Sequence, residues 1–400
     1  MDKVIDRKTT QIMSEKFIKL INENLDKSLV WTAIFTHKYI TWDFILNLSM
    51  NIMHWDYISS NPNITMDLIN DNPDKPWDWA YISSNANITM ENVRDNPDKP
   101  WDWTEMCCNP NLHWEFIRDN PDKPWNWREL SYNENIDVNI IKNNINEYWN
   151  WKALSYNENL TWDIIRDNPD KPWNWNAFSR NPNLTWDFIE ANYNKQWDFD
   201  WNWISLNTNI TWDIIRDNPD KPWNWNAFSR NPNLTWEFIE ANYNKQWDFD
   251  WSWISLNPNI TWDIIRDNPE KPWSWNAFSR NPNITWDIII DNPDKPWSWK
   301  GISSNPNITW DIIKDNPDKP WDWYTFSSNP NITIDIIEAN PEKPWNWCLI
   351  TQHEFSKQHT QIYNKIFDEY KQNHKTHFME KVRYELLMVA MHPSRYAQII

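Results

Sequence analysis

The chain has 400 residues, of which 37 are tryptophan and only one is glycine, and it carries a formal net charge of -18. Phosphate backbones are bound largely through Lys and Arg, so this charge argues against nucleic acid as a partner. Adjacent Cys107 and Cys108 with a remote Cys348 make no disulfide or zinc framework and suit a reducing compartment, no apolar run approaches the roughly 18 to 20 residues of a membrane span, and the polar Met1 to Thr10 stretch does not read as a signal sequence.

One unit organises the chain. Anchored on a tryptophan that recurs from Trp31 through Trp151, Trp175, Trp201, Trp225 and Trp251 to Trp347, it returns every 24 residues, except for two steps of 26. A fixed period of this size marks a solenoid, in which each unit buries its apolar face only by stacking on its neighbours.

In chain order, residues 1–30 fall outside the repeat. Gln11 to Leu25 place Ile12, Phe17, Ile18, Ile21 and Leu25 near one helical face, which predicts an N-terminal helical cap. Trp31 to Asn51 form a degenerate first repeat, in which Thr41-Trp42-Asp43 fits but the Lys-Pro-Trp punctuation is missing. Within a regular unit, Pro172 followed by Trp173 to Ser179 predicts a short helix with proline in its first turn. Asn181-Pro182 ends it. A second helix opens at Thr185, an N-cap, with Asp187 in the first turn where a carboxylate meets the positive end of the helix dipole. Helices this short are marginal alone and depend on stacking. All the tryptophans have places in the unit or its insertions, and apolar replacements such as Met66, Met90, Val138 and Ile334 at the Thr-Trp position argue that they pack as core. The longer steps carry two extra residues each, in Glu190 to Trp201 and its copy Glu240 to Trp251, inside a duplicated 50-residue block. Residues 354–400 leave the repeat and are read as a C-terminal helical cap, with helices around Gln361 to Tyr370 and Met379 to Met391. The fold expected is all-α: an α-solenoid of about fourteen two-helix repeats over residues 31–353, between caps at 1–30 and 354–400, drawn out as a curved rod on the order of 130 Å long for helices packed 8 to 10 Å apart.

The alternation of Asn-Pro-Asn-Ile-Thr-Trp-Asp with Asn-Pro-Asp-Lys-Pro-Trp-Asn-Trp, closed by Met391-His392-Pro393-Ser394-Arg395, resembles a family of tryptophan-rich repeat proteins encoded by giant viruses of amoebae. The resemblance covers roughly residues 31–400. It implies a viral origin and expression in an amoebal host, in the host cytoplasm or packaged in the virion, and it brings no catalytic or binding residues with it.

Candidate sites are few. Ten Asn-x-Thr triplets, among them Asn183-Leu184-Thr185, fit glycosylation acceptors but fit turn and cap residues better. Trp197, Trp203, Trp247 and Trp253, in or beside the insertions, are the tryptophans most free to meet a partner or a sugar ring. Asp167, Asp170 and Lys171, with their equivalents, could line one edge as a charge ladder for docking. His374 and His377 share a helical spacing, but no Cys or carboxylate cluster completes a metal site, and His392 near Ser394 is not a triad. No cofactor is implied. The reading is a non-catalytic scaffold that binds another viral or host protein through its extended surface. The alternative is a carbohydrate-binding or virion-structural protein using exposed tryptophans.

Overall fold

The computed structural model describes residues 2–48, 52–192, 198–242 and 248–372. Among these the regular structure is helical throughout, and pairs of short helices repeat along the chain as an α-solenoid. In a representative unit the first helix is Trp151–Tyr156 and the second is Trp162–Asp167.

The first helix begins later than the sequence suggests. Proline does not occupy its first turn; the helix opens at the anchor tryptophan, and the residue between the paired tryptophans is the N-cap. Asn150 accepts the Ala153 N–H, and Asp200 accepts that of Asn202. A capping side chain satisfies orphan amides that proline merely lacks, which fixes the start two residues after Trp149. Pro172 and Trp173 instead form an extended lead-in, where the Trp173 backbone N–H donates to Lys171 O (2.8 Å) and its indole Nε1 donates to Asn168 O (2.9 Å). Ten tryptophans at this position make the same indole bond. The tryptophan therefore rivets the turn as well as packing, and Phe199 and Phe249 have no N–H to do so. Second helices start where expected, after the Thr. Thr41, Thr65 and Thr333 cap them with a side-chain hydrogen bond, whereas Thr161, Thr211, Thr261 and Thr309 do not.

The fully buried centre is mostly aliphatic and phenylalanine, for example Leu154, Leu160, Phe178 and Ile189. The lead-in tryptophans sit just outside it, Trp173 being 6% exposed, and the anchor tryptophans are half-buried against them edge to face, as with Trp151 on Trp173 (4.9 Å, 89°). Edge-to-face contact suits the quadrupoles of two indoles and leaves one rim of each anchor in solvent.

Adjacent units are stitched by asparagine. Asn231, fully buried, donates through Nδ2 to Ser205 O (2.9 Å) and Asn207 O (3.0 Å) of the preceding unit, while its Oδ1 accepts the Asn233 N–H (2.9 Å). Asn233 donates in turn to Thr208 O (2.7 Å) and Ile210 O (3.2 Å), and Ser205 Oγ accepts the Asn224 N–H (2.9 Å). The ladder runs from Asn61 to Asn329, and it settles the Asn-x-Thr triplets: their amides already bind the neighbouring unit. Where Gly301 stands, a Cβ would lie 2.6 Å from Ser279 Cβ, so its missing side chain permits this first helix to approach the preceding one.

The two ends of this ladder meet. His353 holds the ladder position of the last unit and His37 that of the first; His353 Nε2 donates to Asn329 O (3.0 Å), and His37 Nε2 donates to His353 O (3.3 Å). Lys38 pairs with Glu354 (3.1 Å), Cys348 Sγ donates to Ser28 O (3.3 Å), and Phe17 packs on Phe355 (6.0 Å between ring centroids). The N-terminal helix, Asp2–Asn22, lies along the second helix Ile334–Ala339, tied by Lys16 to Asp335 and by Lys19 to Glu338 (3.0 Å). Fourteen units thus close into a ring. The open rod is replaced because the terminal helices, while covering the end repeats, cover each other's end as well. The N-terminal helix also starts nine residues earlier than the periodicity indicates and buries Ile5, Met13, Phe17, Leu20 and Ile21, leaving Ile12 and Leu25 exposed. A helix spans 356–372, longer than the stretch foreseen there. The stretch Met379 to Met391 lies outside the described residues.

First helices approach their neighbours more closely than second helices do. In a closed ring the more tightly spaced layer is the inner one, so first helices form the inner wall. Fourteen helices at 8 to 10 Å spacing, each about 10 to 12 Å thick, leave a central opening on the order of 30 Å.

Candidate binding surface on the inner wall

Second-helix arginines and first-helix arginines live in different electrostatic settings. On the second helices, Arg166 pairs with Asp163 (2.7 Å) and Asp167 (3.1 Å), Arg216 with Asp213 (2.6 Å) and Asp217 (2.9 Å), and Arg266 with Asp263 (2.6 Å) and Asp267 (2.9 Å). The carboxylates beside each guanidinium hold it above its ordinary range, and exposed pairs of this kind stabilise by at most about 1 kcal/mol. At the carboxyl ends of first helices, Arg180, Arg230 and Arg280 recur every second unit, and none has a carboxylate within ion-pair distance among the described residues. They are held by aromatic faces instead. The Arg180 guanidinium lies 4.2 Å from the Trp203 ring centroid and 5.5 Å from that of Tyr156, and Arg230 lies 4.6 Å from Trp253. Among the described residues Arg280 has no such partner, because Gly301 stands where Trp203 and Trp253 stand, and its buried Nε has no hydrogen-bond partner there.

Tyr132 stacks on Tyr156 (6.1 Å, 25°), extending the row backwards. Between them opens a cleft of about 690 Å³ lined by Arg128, Tyr132, Asn150, Lys152, Tyr156 and Arg180, three cations without a carboxylate in the lining. Acids on this wall are Glu129, 3.9 Å from Arg128, Glu134, which lines the adjoining cleft with Tyr132, and cap residues such as Asp200 and Asp250, already accepting backbone N–H groups. A local cationic arc therefore exists on a strongly acidic chain.

The candidates named from sequence divide. Trp203 and Trp253 belong to this wall, Trp203 half-buried and Trp253 39% exposed, each beneath an arginine. Trp197 and Trp247 lie outside the described residues, as do His374, His377 and His392. Asp167, Asp170 and Lys171 lie elsewhere, at the end of a second helix and in the turn after it, where Asp167 holds Arg166 and Lys171 donates to Asn146 Oδ1 (2.8 Å) over the Trp151 ring. They do not join the tryptophans. Arg180, Arg230, Arg280, Tyr132 and Tyr156 were missed by sequence reading; the signal was there as an arginine every 50 residues, each five positions after an anchor. Cys107 is accounted for by packing: it replaces the ladder serine, its Sγ accepting the Asn126 N–H (3.3 Å), and burial pushes its thiol up to about 12. No group of three His, Cys, Asp or Glu among the described residues is placed to hold a metal ion, and no helix among them is long and apolar enough to cross a membrane.

Comparison with family models, with curated proteins and with solved structures returns no match for this chain. The fold defines its class: a tryptophan-rich helical-repeat protein closed into a ring.

Proposed function

We propose that the protein is a non-catalytic ring scaffold that holds another protein, viral or host, against its inner wall. The observation that supports this is the row of arginines on that wall that pair with no carboxylate among the described residues, where the other described arginines are mostly paired with acids. Uncompensated charge presented on a regular, rigid wall favours an external partner with complementary charge. The setting we propose, on the resemblance to giant-virus repeat proteins, is an amoebal host cytoplasm, with packaging in the virion as the other location. Neither cofactor nor membrane enters this reading. A carbohydrate-binding or virion-structural role through tryptophan is the weaker reading, because the half-buried Trp203 and the exposed Trp253 each already carry a guanidinium on the ring.

The test is purification of tagged protein from infected amoebae, beside a variant with Arg180, Arg230 and Arg280 all changed to Gln. Recovery of one protein in stoichiometric amount by the native ring and its loss from the variant supports inner-wall binding. Recovery of no protein by either form refutes the scaffold reading.

A further inference from the structure

Resting on the scaffold reading, we infer that the inner-wall arc from Tyr132 to Arg280 binds an extended acidic peptide segment, its carboxylates taken one by one by Arg180, Arg230 and Arg280. The argument begins from spacing. Consecutive arginines of this set stand two units apart, on the order of 16 to 20 Å for helices packed 8 to 10 Å apart. An extended chain rises about 3.3 Å per residue, so it spans that interval with roughly five or six residues. A helix would need about twice as many residues and would present its side chains around an axis instead of along the wall.

Charge density then chooses among anions. Each guanidinium offers a planar fork that matches a carboxylate, and the indole behind Arg180 and Arg230 holds that fork in place while its N–H donors pair with no acid among the described residues. A single nucleic-acid strand would bring a phosphate at every nucleotide step, several for each arginine, and the surplus would face Asp200, Asp250 and the rest of a chain of net charge -18. Sparse cations match sparse carboxylates. The tyrosine stack supplies an aromatic floor for the residues between, and the cleft beside it adds the cations Arg128 and Lys152.

The experiment uses the full-length ring and fluorescence anisotropy. The probe is a labelled 20-residue Gly/Ser peptide with Glu at every sixth position and Tyr between, compared with the same peptide carrying Gln for Glu and with a 20-nucleotide oligothymidylate. The expected result is saturable binding of the Glu peptide, none of the Gln peptide, and at least about a tenfold loss of affinity in the R180Q/R230Q/R280Q ring. An outer-surface control, R166Q/R216Q/R266Q, is expected to change affinity less than about twofold, because those residues face the other way and are already paired. Circular dichroism confirms that both variants retain native helicity; Arg180 and Arg230 are exposed, and R180Q/R230Q serves as the inner variant should Arg280→Gln disturb folding. Absence of binding to the Glu peptide, equal losses in the inner and outer variants, or tighter binding of oligothymidylate each overturns the inference. Failure here is separable from failure of the scaffold reading: a host or viral protein that co-purifies in stoichiometric amount and stays bound to the R180Q/R230Q/R280Q ring would keep the scaffold and remove the arginine arc.

Discussion

Asparagine carries the repeat in a way its turn-forming reputation conceals. In twelve units the two asparagines of Asn-x-Asn are constant, while the residue between them is Pro in some and Ala86, Glu134, Glu158 or Thr208 in others. Read as turn chemistry, the proline looks essential; read as hydrogen bonding, the asparagines are, because only a primary amide donates twice to one unit while accepting from its own backbone. Changing Asn231 to Ala removes the side-chain donor to Ser205 O and the acceptor of the Asn233 N–H, while Asn207 O keeps only the Ile210 N–H, and is expected to destabilise the chain by about 1 to 3 kcal/mol in urea unfolding. Asn231→Asp should be no better, since a carboxylate cannot donate. A variant as stable as the parent would show that the ladder contributes nothing. Cys107 follows the same logic from the opposite direction. It is buried at a serine position with its thiol far above neutral, so iodoacetamide at pH 7.5 should modify the exposed Cys108 and Cys348 and spare Cys107 until the protein unfolds. Rapid labelling of all three in the native state, read by peptide mass spectrometry, would contradict this packing.

At the scale of the element, the informative units are the first and the last. Both replace Asn-Pro-Asn, the first by His37-Lys38-Tyr39 and the last by His353-Glu354-Phe355, with opposite charges at matching positions. This was visible in the sequence, but it reads as terminal degeneracy until the two units are known to touch. At the seam, His37 Nδ1 accepts the Tyr39 N–H (3.2 Å) and His353 Nδ1 accepts the Phe355 N–H (2.9 Å), so both rings are held neutral with the proton on Nε2. Burial is the main force lowering their affinity for protons, and it lowers that of His359 as well; Glu354 raises it for His37 and His353, Asp6 raises it for His359, and Lys38 lowers it for His37 and His359. Protonation would put an N–H against a backbone N–H at each ladder ring. Since the folded-state values lie below the unfolded value near 6.5, the unfolded chain binds more protons as pH falls. Seam stability is therefore full above about pH 6.5 and is lost progressively below it, towards the lowered folded values. The thermal midpoint should fall between pH 6.5 and 4.5, and H37N/H353N, which installs the ladder's own residue, should flatten that fall. An equally steep fall in the variant would place the pH sensitivity elsewhere. Phe355 adds a second mark of the seam: it adopts φ 48 while wholly buried, a strained backbone offset by its packing on Phe17.

For the whole molecule, periodicity made the solenoid and its two short helices per unit readable, because a 24-residue step with apolar spacing of three is a local property. Curvature is not. Whether fourteen units make a rod or a ring depends on the difference in spacing between the two helix layers, a small quantity accumulated fourteen times, and on terminal residues that only make sense as partners. The inner-wall arginines escaped notice for the same reason, since net charge averages over two faces that only closure separates. Closure also removes the free ends at which a linear array frays, so unfolding should begin at the seam. The most direct test labels Leu25→Cys and Gln352→Cys, both exposed, with nitroxides in a C108S/C348S background and measures their separation by double electron–electron resonance at pH 7.5. A ring predicts one narrow distance below about 30 Å, because each site is only a few residues from the Ser28 and Cys348 contact. An open stack would separate the same labels by something on the order of 130 Å, beyond the range of the method. Loss of dipolar modulation in the folded protein would contradict closure.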